Sequence, residues 1–157
     1  MKKLILMLFC FPIIGLGQFK ISEKNIKYTN FVNEERVKKY WQNSNEEIYQ
    51  LEGIYKPYDS VYESVLKYIL AIIKVDDYYE VIQIGKGYGK NDVNEGGVKA
   101  TAKKMLSKNT YEIRWRMANA TIIEKGIILK KKHEIIIKLE QYPNMDDLKF
   151  IKIFSPN

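Results

Sequence analysis

The segment Tyr111–Met117 alternates apolar and charged side chains without a slip, with Tyr111, Ile113, Trp115 and Met117 on one side and Glu112, Arg114 and Arg116 on the other. Ile135, Ile137 and Leu139 alternate with Glu134, Lys138 and Glu140 in the same way. A period of two is that of a β-strand with one buried face. From Glu52 onward, runs of β-branched and aromatic residues recur between turn residues. They predict eight strands: Glu52–Lys56, Tyr68–Val75, Tyr79–Ile84, Gly97–Lys104, Tyr111–Ala118, Thr121–Lys130 with a break near Gly126, Glu134–Glu140 and Leu148–Phe154. Asp76-Asp77 is too short for a parallel crossover, so the strands on either side of it form an antiparallel hairpin. Short antiparallel strands that share one apolar face cover it most simply by closing on themselves. The expected fold is therefore all-β, an antiparallel meander closing into a barrel over residues 52–157.

The stretch 18–51 reads differently, as a polar, helix-leaning segment. Asn33 stands where a helix N-cap belongs, Glu34 and Glu35 suit the positive end of the helix dipole, and Val37, Tyr40 and Trp41 fall on one face. Ser44 and Glu47 have capping-box spacing for one more turn. Between the first two strands, Asp59–Lys67 is expected to be an inserted loop with some helix, since Ser60 and Glu63 repeat that spacing.

Ahead of all this lies a different pattern. Lys2 and Lys3 precede an apolar stretch, Leu4–Leu16, broken only by Pro12 and Gly15. This predicts a signal peptide at residues 1–17, cleaved after Gly17, because the run is shorter than the roughly 20 residues that cross a membrane and ends in small residues. An uncleaved anchor is the alternative. Cys10 does not make a lipobox, since the bulky Leu8 and Phe9 precede it.

Loss of that leader removes the only cysteine and leaves an exported chain of about 140 residues, enough for one core without disulfide staples. The formal charge falls from +7 to +5 as Lys2 and Lys3 leave. The remaining basic residues are lysines apart from Arg36, Arg114 and Arg116, a composition that serves solubility.

The candidate chemistry is thin. Gly85–Lys90 is rich in glycine, but Ile84 occupies the first glycine of a phosphate loop and Asn91 its Ser/Thr, so the segment reads as a glycine-rich loop. His133, the single histidine, sits between Lys132 and Glu134 at an expected turn and has no partners for a zinc site or a nucleophile elbow. Glu52, Glu80, Glu112 and Glu140 are the strand carboxylates from which a glycosidase pair would have to come, and most read as solvent-facing. Asp76-Asp77 and Asp146-Asp147 lack the alternating acids of a calcium loop. No catalytic residue, metal or cofactor is expected. Lys103-Lys104 and Lys130–Lys132, with twelve tyrosines, have the ingredients of nucleic-acid binding, but export argues against it. They read as hairpin-tip lysines able to touch an anionic membrane surface weakly.

Two resemblances add to this reading. A helical lead into Gly53-x-Tyr55, followed by meander strands, resembles the opening of the lipocalin-like, or calycin, barrels. The strings Glu52-Gly53-Ile54-Tyr55, Tyr68-x-Leu70-Ala71-Ile72-Ile73-Lys74, Tyr111-x-Ile113-x-Trp115-x-Met117-Ala118-Asn119 and Lys149-Phe150-x-Lys152-Ile153-Phe154-x-Pro156 resemble an uncharacterised exported bacterial β-module. That module occurs alone or beside trypsin-like peptidase domains, and the resemblance implies an accessory or binding role.

The expected function is a non-enzymatic binding module, monomeric, with a small apolar or amphiphilic ligand in the barrel mouth. Tyr55, Ile72, Ile82, Trp115 and Ile137 are the residues expected to face it. The alternative is a filled barrel that docks an envelope protein through outer tyrosines.

Overall fold

The computed structural model describes residues 32–43, 49–60, 68–85, 96–117, 121–140 and 146–156. The expected leader, the Ser44/Glu47 spacing, residues 61–67 and residues 86–90 of the glycine-rich loop lie outside them. One helix, α1 (Glu34–Asn43), precedes nine strands: β1 (Gly53–Asp59), β2 (Leu70–Val75), β3 (Tyr78–Gln83), β4 (Val98–Lys104), β5 (Thr110–Arg116), β6 (Ile122–Ile123), β7 (Gly126–Lys130), β8 (Glu134–Leu139) and β9 (Leu148–Phe154).

Every pairing is antiparallel. Around the sheet each long strand pairs with its neighbour in sequence, β4 pairs with β5, and β9 returns to β1. The result is a closed eight-stranded up-and-down barrel, the lipocalin-like architecture the sequence predicts. β6 and β7 are the two halves of the expected Thr121–Lys130 strand, since both pair with β5. The break between them falls beside Gly126, where a Cβ would come within 2.8 Å of the Lys138 carbonyl oxygen.

Two apolar clusters hold the fold. The larger fills the barrel and includes Tyr55, Ile72, Val81, Ile113, Trp115, Ile128, Ile137 and Phe150. The smaller lies outside the barrel, where Val37 and Trp41 of α1 cover Ile54, Ala71, Ile73 and Ile82. β2 is thus apolar on both faces from Leu70 to Ile73, and β3 is buried on both, with Glu80 and Gln83 as buried polar residues. The helix starts where its cap predicts, with Asn33 Oδ1 accepting from the Arg36 amide at 3.0 Å.

Ile82 departs from its expected place. It was expected to face the barrel mouth, but it pairs with Ala71 and belongs to the outer cluster under α1. β3 is buried along its whole length, so alternation alone does not distinguish its two faces.

Three register shifts interrupt the ladders: one leaves Tyr58 extra, where Pro57 pairs with Phe150 and Asp59 with Lys149, and the other two shape the interior. Between β3 and β4, Val81 pairs with Ala100 and Ile82 with Val98, which leaves Lys99 as the extra residue. Between β1 and β9, Ile54 pairs with Phe154 and Tyr55 with Lys152, so Ile153 is extra. That step turns Phe154 outward onto Trp41, with ring centroids 5.7 Å apart, while Lys152 stays inward. Gly53 makes the crossing possible. Its φ of +146° suits glycine, and a Cβ there would lie 2.6 Å from the Phe154 carbonyl oxygen and 3.0 Å from Lys152 Cε.

Candidate functional site

The turns β2–β3, β4–β5 and β7–β8, the entry to β1 and the exit of β9 gather at one end of the barrel, here the hairpin pole. Side chains directly opposite each other across a ladder share a face. Lys74 pairs with Tyr79, Lys104 with Tyr111, Lys130 with Ile135 and Lys152 with Tyr55. All four partners belong to the interior cluster, so these four lysines are directed into the mouth of the barrel.

Their amines lie over aromatic faces and backbone carbonyls. Lys74 Nζ is 5.0 Å from the centre of the Tyr79 ring, Lys104 Nζ 4.6 Å from that of Tyr111 and Lys152 Nζ 5.3 Å from that of Tyr55. Lys152 also donates to the carbonyl oxygens of Glu52 at 2.6 Å and Gln50 at 3.0 Å, and Lys130 donates to that of Lys131 at 3.2 Å. Beneath them Tyr79 and Tyr111 meet edge to face at 5.5 Å, and the Tyr55 hydroxyl donates to the Leu51 carbonyl at 2.8 Å.

Electrostatics separates these lysines from several on the outside of the barrel. Lys103, Lys131, Lys138 and Lys149 each meet a carboxylate, from Asp77, Glu134, Asp147 and Asp59 respectively. Among the described residues none of the four inward lysines forms an ion pair. Burial, and then the charge of Lys130, lower the pKa of Lys152 to about 8, with Glu52 pulling the other way. Lys130 is also lowered, by burial and then by Lys104. Lys130 thus lies within electrostatic reach of both Lys104 and Lys152. Burial pushes the hydroxyls of Tyr55 and Tyr79 upward, with Tyr111 adding to both.

Glu52 brings a carboxylate to this pole, and its oxygens are engaged by the fold. Oε1 accepts from Trp41 Nε1 and the Lys74 amide, and Oε2 from the Tyr49 amide. His133 is exposed in the β7–β8 turn, and its carbonyl oxygen accepts from the Lys152 amide at 2.7 Å. Among the described residues no three His, Cys, Asp or Glu side chains gather as a metal site.

Of the residues expected to face a ligand, Tyr55, Ile72, Trp115 and Ile137 line the barrel interior, and Ile82 lies outside it. The middle of that interior is closed. Ile72, Val81, Ile113, Ile128 and Phe150 present no accessible surface, so the barrel's own side chains fill it at these positions. The inward lysines were missed because Lys103-Lys104 and Lys130–Lys132 read as hairpin tips. Alternation marks them nonetheless: Lys74, Lys104, Lys130 and Lys152 each stand two residues beyond an inward apolar position, at Ile72, Ala102, Ile128 and Phe150.

Toward the opposite pole the β4 bulge turns Lys99 inward. It is 2% exposed, with its amine 5.2 Å from the Tyr68 ring centre and 5.5 Å from that of Trp115.

Comparison with protein families, curated proteins and solved structures finds no match. The class is therefore defined by geometry alone: a closed antiparallel eight-stranded barrel with an external helix and a pole lined by lysine and tyrosine.

Proposed function

We propose that the protein is a non-enzymatic, exported binding module that takes a small amphiphilic ligand at the hairpin pole of its barrel. The observation that carries this reading is the set of inward lysines at that pole, three of them (Lys74, Lys104 and Lys152) over tyrosine rings, and all without carboxylate partners among the described residues. The ammonium groups suit a polar end, and the methylene stems of the lysines an apolar body. The packed middle of the barrel argues for a ligand held in the mouth, with Tyr55 at its floor and Ile72, Trp115 and Ile137 as core beneath. Export rests on the leader-like pattern of residues 1–17. A non-catalytic role is supported by the one histidine lying exposed in a turn and by the three hydrogen bonds that occupy Glu52.

A second reading has its own observation. Tyr58 on β1 and Ile151 and Ile153 on β9 are 47%, 43% and 51% exposed on the outside of neighbouring strands. Such an apolar strip suits docking to an envelope protein.

Native mass spectrometry of the protein purified gently from its host's envelope separates the two. A reproducible added mass that organic extraction removes supports the ligand reading. A bare monomer mass with a stoichiometric co-purifying protein overturns it in favour of docking.

A further inference from the structure

We infer that Lys104, Lys130 and Lys152 together form a site for a phosphate-type oxyanion, an inference that rests on the hairpin pole being where the ligand binds. The three come from β4, β7 and β9 and point into one mouth, as their interior ladder partners Tyr111, Ile135 and Tyr55 require. Lys130 and Lys152 are partly withdrawn from water and Lys104 is exposed at the rim; holding like charges at one mouth is costly, and an anion offsets the cost.

The donor count fits the same ligand. A lysine ammonium has three N–H donors. Lys152 commits two, to the carbonyls of Glu52 and Gln50, and Lys130 commits one, to Lys131. Lys104 holds its amine over the Tyr111 ring. Among the described residues each therefore keeps at least one donor for an incoming oxygen. Of the three, Lys152 lies within electrostatic reach of the Glu52 carboxylate, which is already engaged by Trp41 and two backbone amides, so the mouth keeps a net positive charge. A phosphate monoester, at roughly −1.5 to −2 at neutral pH, answers several ammonium groups at once, whereas a fatty carboxylate brings one charge. Nearby Asp77 and Glu134 are already bound to Lys103 and Lys131. Lys74, across the mouth, donates to the Asp76 carbonyl and adds to the positive field.

The oxyanion has two possible sources, the head of an amphiphile or free phosphate. Calorimetric titration of the purified protein with octyl phosphate, inorganic phosphate and octyl glucoside, each below its micelle concentration, distinguishes them. The expected result is that octyl phosphate binds at least tenfold more tightly than octyl glucoside, and that Lys104→Met and Lys130→Met each weaken it by about tenfold, the loss of one charge-assisted contact. Lys132→Met, in the exposed turn, leaves affinity unchanged. Lys152→Met removes the tie to the Gln50 and Glu52 carbonyls as well, so the two less buried lysines carry the test. Inorganic phosphate binding as tightly as octyl phosphate supports the oxyanion site and counts against an amphiphile. Octyl glucoside binding as tightly as octyl phosphate, unaffected by the lysine variants, overturns the oxyanion site and leaves the binding module standing. No binding of any probe overturns both.

Discussion

Trp41 on helix α1 donates its indole N–H to Oε1 of Glu52 across 3.2 Å, and Glu52 is only 4% exposed. The bond joins the external helix to the strand entry that forms one wall of the hairpin pole. The same carboxylate accepts the backbone amides of Tyr49 and Lys74, so one side chain fixes the helix, the lead into β1 and the end of β2 at the hairpin pole.

Glu52→Ala leaves three donors without their acceptor. Hydrogen bonds to a charged group contribute about 1.5–3 kcal/mol, and stranding a buried donor costs about 1–3 kcal/mol. The variant is expected to lose about 3 kcal/mol of unfolding free energy by urea titration, with Glu52→Gln losing less because it keeps one acceptor oxygen. A loss below about 1 kcal/mol for Glu52→Ala would show that the junction does not depend on this carboxylate.

Ile82 supplies a test of which face of the barrel wall is which. Removing most of its side chain in Ile82→Ala is expected to cost about 2–4 kcal/mol. In double-mutant cycles it should couple to Trp41→Ala, which shares the outer cluster, by about 0.5 kcal/mol or more, and should add independently to Ile113→Ala inside the barrel. Coupling to Ile113 without coupling to Trp41 would place Ile82 in the interior.

How much of this was legible in the sequence depended on whether a strand has one buried face or two. β5 alternates strictly and β8 does so apart from the outward Ile136, and their inward residues Ile113, Trp115, Ile135 and Ile137 are as the pattern requires. The helix, its Asn33 cap and its Val37–Trp41 face were equally readable. β3 was not, because both its faces are buried and each mixes polar and apolar residues; the side on which Ile82 lies is a fact of its packing with Val37 and Trp41 of α1. The bulges at Lys99 and Ile153 were also hidden, since an extra residue changes the phase of the pattern without changing its composition. The lysines at the pole follow the alternation, yet a charged residue at a strand end is ordinarily read as solvent-facing. Only the ladder partners Tyr79, Tyr111, Ile135 and Tyr55 show otherwise.

The pH dependence of stability follows from the same pole. Lys152 titrates at about 8 in the folded protein against 10.5 ordinarily, so between those values the unfolded chain holds the extra proton and folding becomes more favourable as pH rises. Lys130 acts in the same direction. Tyr55 and Tyr79 act oppositely. Their folded pKa values are raised, so they contribute stability that is fully present below the ordinary value of 10.0 and is lost as pH rises beyond it. The melting temperature should therefore rise slightly from pH 7.5 to about pH 9.5 and fall above 10. The rise should be small, because Lys152 is only half-buried and solvent screens it. Lys152→Met should abolish much of it. A melting temperature that falls steadily across pH 7.5–9.5 would contradict this assignment.

The most direct test of the ligand site is a two-dimensional amide NMR titration of the isotope-labelled protein with octyl phosphate. The account predicts saturable shifts concentrated at Lys74–Tyr79, Lys104–Tyr111, Lys130–Ile135 and Lys152, the ends of the strands that form the hairpin pole. Shifts confined to Tyr58, Ile151 and Ile153, or no saturable shifts at all, would contradict it.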